Sequence, residues 1–195
     1  MLSEERIKEA ENNVKSYLSD GLIKKEQFNS LVFDILKNNS KESIETATFL
    51  SDNKKSNLWI IVCSYYSMFY IANAVLYKIG YKIGEKIAHR ITSDALVVYV
   101  RNKLKEKLIE DYEELKEEAL QIAKNKAEGL IEDFEFERNK RSIIQYQTKE
   151  VEKSSKAQTS LKRAKEFLYE MNNLLNELGK KITEYLSICF YFNYY

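Results

Sequence analysis

An all-α fold is predicted by three features of this 195-residue chain. It contains no proline and only five glycines, so little in it would interrupt a helix. Apolar residues recur three or four positions apart over most of its length, the period of a helix with a buried face. No pair of alternating segments joined by a tight turn is visible, so no strand hairpin is expected.

Each helix is delimited by turn or cap chemistry. A first helix, Ser3–Leu18, ends at Asp20-Gly21, and a second, Lys25–Lys37, at Asn38-Asn39-Ser40. Lys41–Ser51 follows and stops in the polar run Asp52–Ser56. Asn57–Ile79 ends at Gly80–Gly84, Glu85–Lys105 comes next, and Ile109–Ala127 closes before Gly129. A last helix, Ser154–Leu178, ends at Gly179. Hydrophobic residues at 44% and charged residues at 31% suit a folded chain with one core.

The helix at Asn57–Ile79 is expected to be central. Leu58, Val62, Tyr65, Phe69, Ala72 and Leu76 form one stripe, and Trp59, Cys63, Tyr66, Tyr70 and Asn73 form the opposite one, so both faces should be buried. Residues Asn57 to Tyr77 carry no charge over 21 positions, enough to cross a bilayer. Its polar groups sit mid-segment, whereas spanning helices put tyrosine at the two interfaces, so a buried soluble helix and no membrane partner are expected. In the closing helix Leu161, Ala164, Phe167, Leu168, Met171 and Leu174-Leu175 share a face, with Lys162, Lys165 and Glu166 outside.

Charge and cysteine usage narrow the function classes. With 31 basic and 30 acidic residues, nucleic-acid binding would need a local basic patch. Cys63 and Cys189 stand far apart, which argues against a disulfide framework or a zinc site. The charged N-terminus lacks an apolar export segment, so a cytoplasmic location is expected. Glu110, Asp111, Glu113, Glu114, Glu117 and Glu118 read as a solvated helix face rather than a metal site. The aromatic segment Tyr185–Tyr195 is too short to span a membrane and is expected to dock on the bundle or on a partner. No phosphate-binding glycine loop and no nucleophile elbow is present; Gly80-Tyr81-Lys82-Ile83-Gly84 lacks the pattern and follows a helix.

The residues with the most chemical content are Glu137-Arg138-Asn139-Lys140-Arg141-Ser142-Ile143-Ile144-Gln145-Tyr146. They follow Ser64-Tyr65-Tyr66-Ser67-Met68-Phe69-Tyr70-Ile71-Ala72-Asn73-Ala74 and precede Ala157, Ser160, Leu161, Ala164 and Phe167 at helical spacing. In order and spacing these segments resemble a HEPN domain, over roughly Lys41 to Leu178. The resemblance implies an up-and-down helical bundle, usually dimeric, with the Arg-containing motifs of two chains facing each other. It divides the chain into an N-terminal helical extension (1–40), the bundle (41–178) and an aromatic C-terminal tail (179–195).

Ribonuclease members of that family pair an Arg and a polar neighbour with a following His and cleave RNA without a metal or other cofactor. The resemblance puts Arg138 and Asn139 at the first two positions, with Gln145 standing where the His is expected and Tyr146 beside it. Arginine binds phosphate bidentately and stabilises a crowded anionic transition state. Glutamine cannot titrate, and losing acid–base catalysis costs typically ~10²- to 10⁴-fold, which leaves room for slow cleavage only. Lys140 and Arg141 add charge for RNA or a nucleotide phosphate, and His89 and Arg90 near a helix start offer a second such site, with a cap or core contact the other reading of His89 and a proton carrier if the fold brings it to Arg138.

Two function classes follow. One is a HEPN-like homodimer that binds RNA or a nucleotide, with weak metal-independent endoribonuclease activity. The other is a noncatalytic helical partner of a minimal nucleotidyltransferase in a toxin–antitoxin-type pair, or another protein-interaction module, with Tyr146 or the tail as contact surface. A plain structural bundle, with Arg138 and Arg141 in ion pairs, stays open beside them.

Overall fold

The computed structural model describes residues 3–103, 108–121 and 150–192, with side-chain surroundings in the last segment given for 154–180. Described residues are mostly helical, in agreement with the all-α expectation.

Helix α1 (Glu4–Ser19) begins where the Ser3 hydroxyl accepts a hydrogen bond from the Arg6 amide, with Glu4 and Glu5 favourably placed in the first turn. Ala10, Val14 and Tyr17 form its buried stripe. The helix closes with the Leu22 amide bonded to Tyr17 O at 2.9 Å and the Gly21 amide to Leu18 O at 3.3 Å. Gly21 takes the left-handed conformation (φ +69°) that this terminus requires.

A two-stranded antiparallel sheet overturns the expectation of no strands. Strand β1 (Ile23–Lys25) pairs with β2 (Tyr81–Ile83) in the register Ile23 to Ile83 and Lys25 to Tyr81. The strands have three residues each and are joined by two helices, so neither a local turn nor a sustained alternation announces them. Gly84 lies against this ribbon, where an added Cβ would sit 3.1 Å from Leu22 O.

Helix α2 (Ser30–Asp52) runs unbroken through Asn38-Asn39-Ser40, where a turn was expected. The Ser40 hydroxyl, turned into the bundle, donates to Ser67 O at 2.8 Å, so this polar run holds a helix contact instead of ending a helix. The boundary expected at residues 40/41 falls inside this helix. Helix α3 (Asn57–Lys78) is the central element, packed along α2 and α6. It is apolar and long enough to cross a membrane by length and composition, yet 67% of that stretch is buried within the fold. Its first stripe is largely buried, including Tyr65, Ala72 and Leu76 at 0% exposure. The second stripe departs from expectation: Trp59 is 45% exposed, Cys63, Tyr66 and Tyr70 are half-buried, and only Asn73 is buried.

Helix α4 (Ala88–Ala95) starts three residues later than predicted, after Ile87 at φ +47°, and opens into a π-helical turn at Leu96–Val100 and a 3-10 turn at Arg101–Lys103. Helix α5 covers 108–121 and buries Leu108, Ile109, Tyr112, Leu115 and Ala119. Helix α6 (Glu150–Phe192) passes through Gly179 and through most of the segment expected to be a separate tail. One glycine costs a helix only about 1 kcal/mol, which the 43 residues of α6 absorb without a break. Its predicted inner face is seen as expected, with Leu161, Ala164, Phe167, Met171, Leu174 and Leu175 buried and Lys162, Lys165 and Glu166 outside.

Candidate functional site

The residues singled out from the sequence separate into two groups. Arg138, Asn139, Lys140, Arg141, Gln145 and Tyr146 lie outside the described residues. His89 and Arg90 are placed on the first turn of α4 and have different surroundings.

His89 is half-buried against α3 and forms part of a ring cluster. Its ring centre lies 4.6 Å from Phe69, 5.5 Å from Tyr65 and 5.8 Å from Tyr66. Nδ1 is 2.6 Å from the Tyr65 hydroxyl. Burial pushes the Tyr65 phenol up, and burial pushes the fully enclosed Tyr112 phenol beside it up further, so both hold their protons at neutral pH. Burial, and then the Lys116 charge, lower the His89 pKa from 6.5, so its neutral form prevails at pH 7. With the protonated phenol as donor to Nδ1, the remaining ring proton stands on Nε2. Nε2 has no hydrogen-bond partner among the described residues.

In that tautomer Nε2–H is a donor without a partner among the described residues, while Nδ1, the only basic nitrogen, is occupied by Tyr65. His89 is therefore poorly set up to take a proton at neutral pH.

Arg90 is exposed and loosely paired with Glu9 at 3.8 Å. It borders a cleft of about 540 Å³ that is also lined by Arg6, Asp94, Glu113 and Lys116. At the cleft floor Arg6 joins three helices: its guanidinium lies 2.8 Å from Asp94 Oδ1 on α4 and 2.6 Å from Glu113 Oε1 on α5. Asp94, 2% exposed, accepts further hydrogen bonds at Oδ2 from Asn13 and Tyr17, both at 3.0 Å. Burial, then the Asp94 charge, raise the Tyr17 phenol.

The acidic face of α5 thus departs from the solvated reading. Asp111 is buried and pairs with Arg163 at 3.1 Å, Glu114 joins the same arginine at 3.0 Å, and Glu113 is taken by Arg6. Carboxylates outnumber cations around the cleft, with Glu9, Asp94, Glu113, Glu114 and Glu117 against Arg6, Arg90 and Lys116. The floor is a structural ion network, and a bare phosphate gains little there.

Sequence reasoning missed Tyr65 as a partner of His89, and missed Arg6 and Asp94. Asp94 had a visible signal: it is the one charge between Ile91 and Val100. No family model, no curated protein and no solved structure matches the chain.

Proposed function

We propose that this protein is a HEPN-like RNA- or nucleotide-binding module, a cytoplasmic homodimer whose metal-independent cleavage of RNA is slow at most. The observation that carries this reading is the half-buried His89 ring, bonded at Nδ1 to Tyr65, without a partner for Nε2 among the described residues and within reach of the Lys116 charge. An imidazole N–H suits a phosphate or base oxygen, and since Lys116 and Arg90 are paired with Glu117 and Glu9, the charge for a phosphate is assigned to Arg138, Lys140 and Arg141.

Binding is favoured over turnover for two independent reasons. Gln145 carries no titratable proton, and His89 has its basic nitrogen occupied. Arg138 and Asn139 still supply charge stabilisation of an in-line attack by the ribose 2′-OH, which sustains only the slow residual rate.

The test is an end-labelled structured RNA incubated in chelator with wild type, Arg138→Ala and His89→Gln, reading both retention and product ends. Expected are retention weakened in both variants and slow wild-type release of 2′,3′-cyclic phosphate ends that Arg138→Ala abolishes. Absence of RNA and nucleotide binding by the wild type would remove the function.

The alternative, a noncatalytic partner of a minimal nucleotidyltransferase, is favoured by a different feature. Phe28, Leu31 and Ile35 are 47%, 66% and 50% exposed at the start of α2, an apolar strip suited to a protein surface. Copurification with such an enzyme, lost in Leu31→Glu, is the outcome expected of that reading.

A further inference from the structure

We infer that the half-exposed aromatic row of α3, Tyr66 and Tyr70 with Phe69 and His89 at its edge, is a stacking platform for an unpaired nucleobase. This deepens the RNA- or nucleotide-binding reading and rests on it.

Residues 66 and 70 are one helical turn apart, so their side chains share one side of α3. Their ring centres are 6.0 Å apart, Phe69 meets Tyr70 edge-on at 5.5 Å, and the His89 ring meets Tyr66 edge-on at 5.8 Å. Edge contacts of this kind hold the tyrosine rings in place while leaving part of their faces to solvent, and both tyrosines are half-buried. A base placed on such a surface gains contact with rings that are already ordered.

The occupant follows from the polar atoms at the rim. Neither the Tyr66 nor the Tyr70 hydroxyl has a hydrogen-bond partner among the described residues, and His89 Nε2–H has none either. An apolar protein surface pressed on this row would strip water from three polar groups and return nothing, at a penalty for each. A nucleobase offers π-faces to the rings and edge donors and acceptors to the phenols and imidazole. Lys116, whose charge reaches the His89 ring, is held by Glu117 at 3.0 Å, so the base and not the phosphate supplies the preference. Single-stranded nucleic acid is bound by stacking of its bases on such rings.

The experiment compares a short oligoadenylate with a matched abasic ribose-phosphate oligomer at one fixed salt concentration, by anisotropy of the labelled probe. Trp59, the one tryptophan, lies two turns from Tyr66 on the same side of α3 and supplies a second, intrinsic readout. Oligoadenylate is expected to bind roughly 5- to 100-fold more tightly than the abasic probe, the range given by one stacked base. Tyr66→Leu and Tyr70→Leu should each erase most of that preference and leave the abasic probe unaffected. Tyr66→Phe, which retains the ring, should keep the stacking preference and show that loss in Tyr66→Leu is not misfolding.

Equal affinity for the two probes overturns the platform. So does unchanged oligoadenylate binding by the leucine variants, including the case where these variants change only the sedimentation of the protein. Binding that is lost in Tyr66→Leu but untouched by Arg138→Ala keeps the platform and rejects the Arg138 reading. Binding that depends on Arg138 and ignores Tyr66 does the reverse.

Discussion

Replacing Arg6 with alanine removes the cation that ties α1 to α4 and α5. Arg6 Nη1 is 2.8 Å from Asp94 Oδ1, and Nη2 is 2.6 Å from Glu113 Oε1, while Asp94 is only 2% exposed. Breaking a buried pair from one side costs about 3–5 kcal/mol, because the abandoned charge cannot recover its water. Two features reduce that figure here: Arg6 is itself 23% exposed, and Asp94 keeps Asn13 and Tyr17 as neutral donors at Oδ2. We therefore expect Arg6→Ala to lower stability by about 2–4 kcal/mol. Asp94→Asn in the Arg6→Ala background should recover part of the loss, since the uncompensated charge is then gone, with a coupling of about 1–3 kcal/mol in the double-mutant cycle. Urea unfolding of the four proteins at pH 7 measures both quantities, provided the slope stays constant across the set. An Arg6→Ala change within about 0.5 kcal/mol of wild type, the behaviour of an ordinary surface residue, would refute the reasoning and show that the pair is solvated in practice.

Other consequences follow from single contacts. Nitrogen-detected NMR of the lone histidine should report the Nε2–H tautomer and titration below 6.5, and Tyr65→Phe should mix the tautomers; an Nδ1–H signal in wild type contradicts the assignment. Because the unfolded chain binds this proton more readily than the folded one, the His89 contribution to stability is complete above 6.5 and is lost as pH falls toward the lowered value. His89→Asn should flatten that limb of the stability profile. Gly80, at φ +94°, should lose about 1 kcal/mol or more on replacement by alanine, read from the same urea curves. Phe167, fully buried with its ring centre 5.6 Å from that of Tyr112, should cost about 3–5 kcal/mol as alanine, and a smaller loss would mean that α6 is not seated on the core.

What the sequence reveals depends on how local each cause is. The starts and ends of α1 and α3 were readable because a serine cap, a left-handed glycine and a charge-free run act within one or two turns. The inner face of α6 was readable for the same reason, as its spacing repeats over five turns. Asn38-Asn39-Ser40 was misread because the partner of Ser40 is Ser67 O, 27 residues away, and no local rule contains it. The strands β1 and β2 were missed on the same ground: each is defined by a pairing between residues nearly 60 positions apart. At the site, His89 stood out as the only histidine, but its chemistry is set by Tyr65 and Lys116 across two helix contacts, which composition cannot reveal. Asp94 was missed although it is a solitary charge in an apolar run, because its guanidinium partner lies 88 residues upstream.

The second stripe of α3 separates helical period from burial. This helix without a charge over 21 residues carries more apolar area than the described neighbours cover, whereas the pattern by itself says that every side should be buried. Which side stays open is decided by residue type. The deeply buried positions include Ile60, Ile61, Met68, Ile71, Val75 and Leu76, whose side chains gain nothing from water. The half-open side holds Trp59, Cys63, Tyr66 and Tyr70, and three of these are rings that pack by their bodies and hydrogen-bond by their tips. Leucine in their place would satisfy the same helical period with no use for the polar rim. The proposed platform is separable from core filling by substitution: Tyr66→Leu should be nearly neutral for stability while removing the base preference, a separation that a purely structural ring would not show.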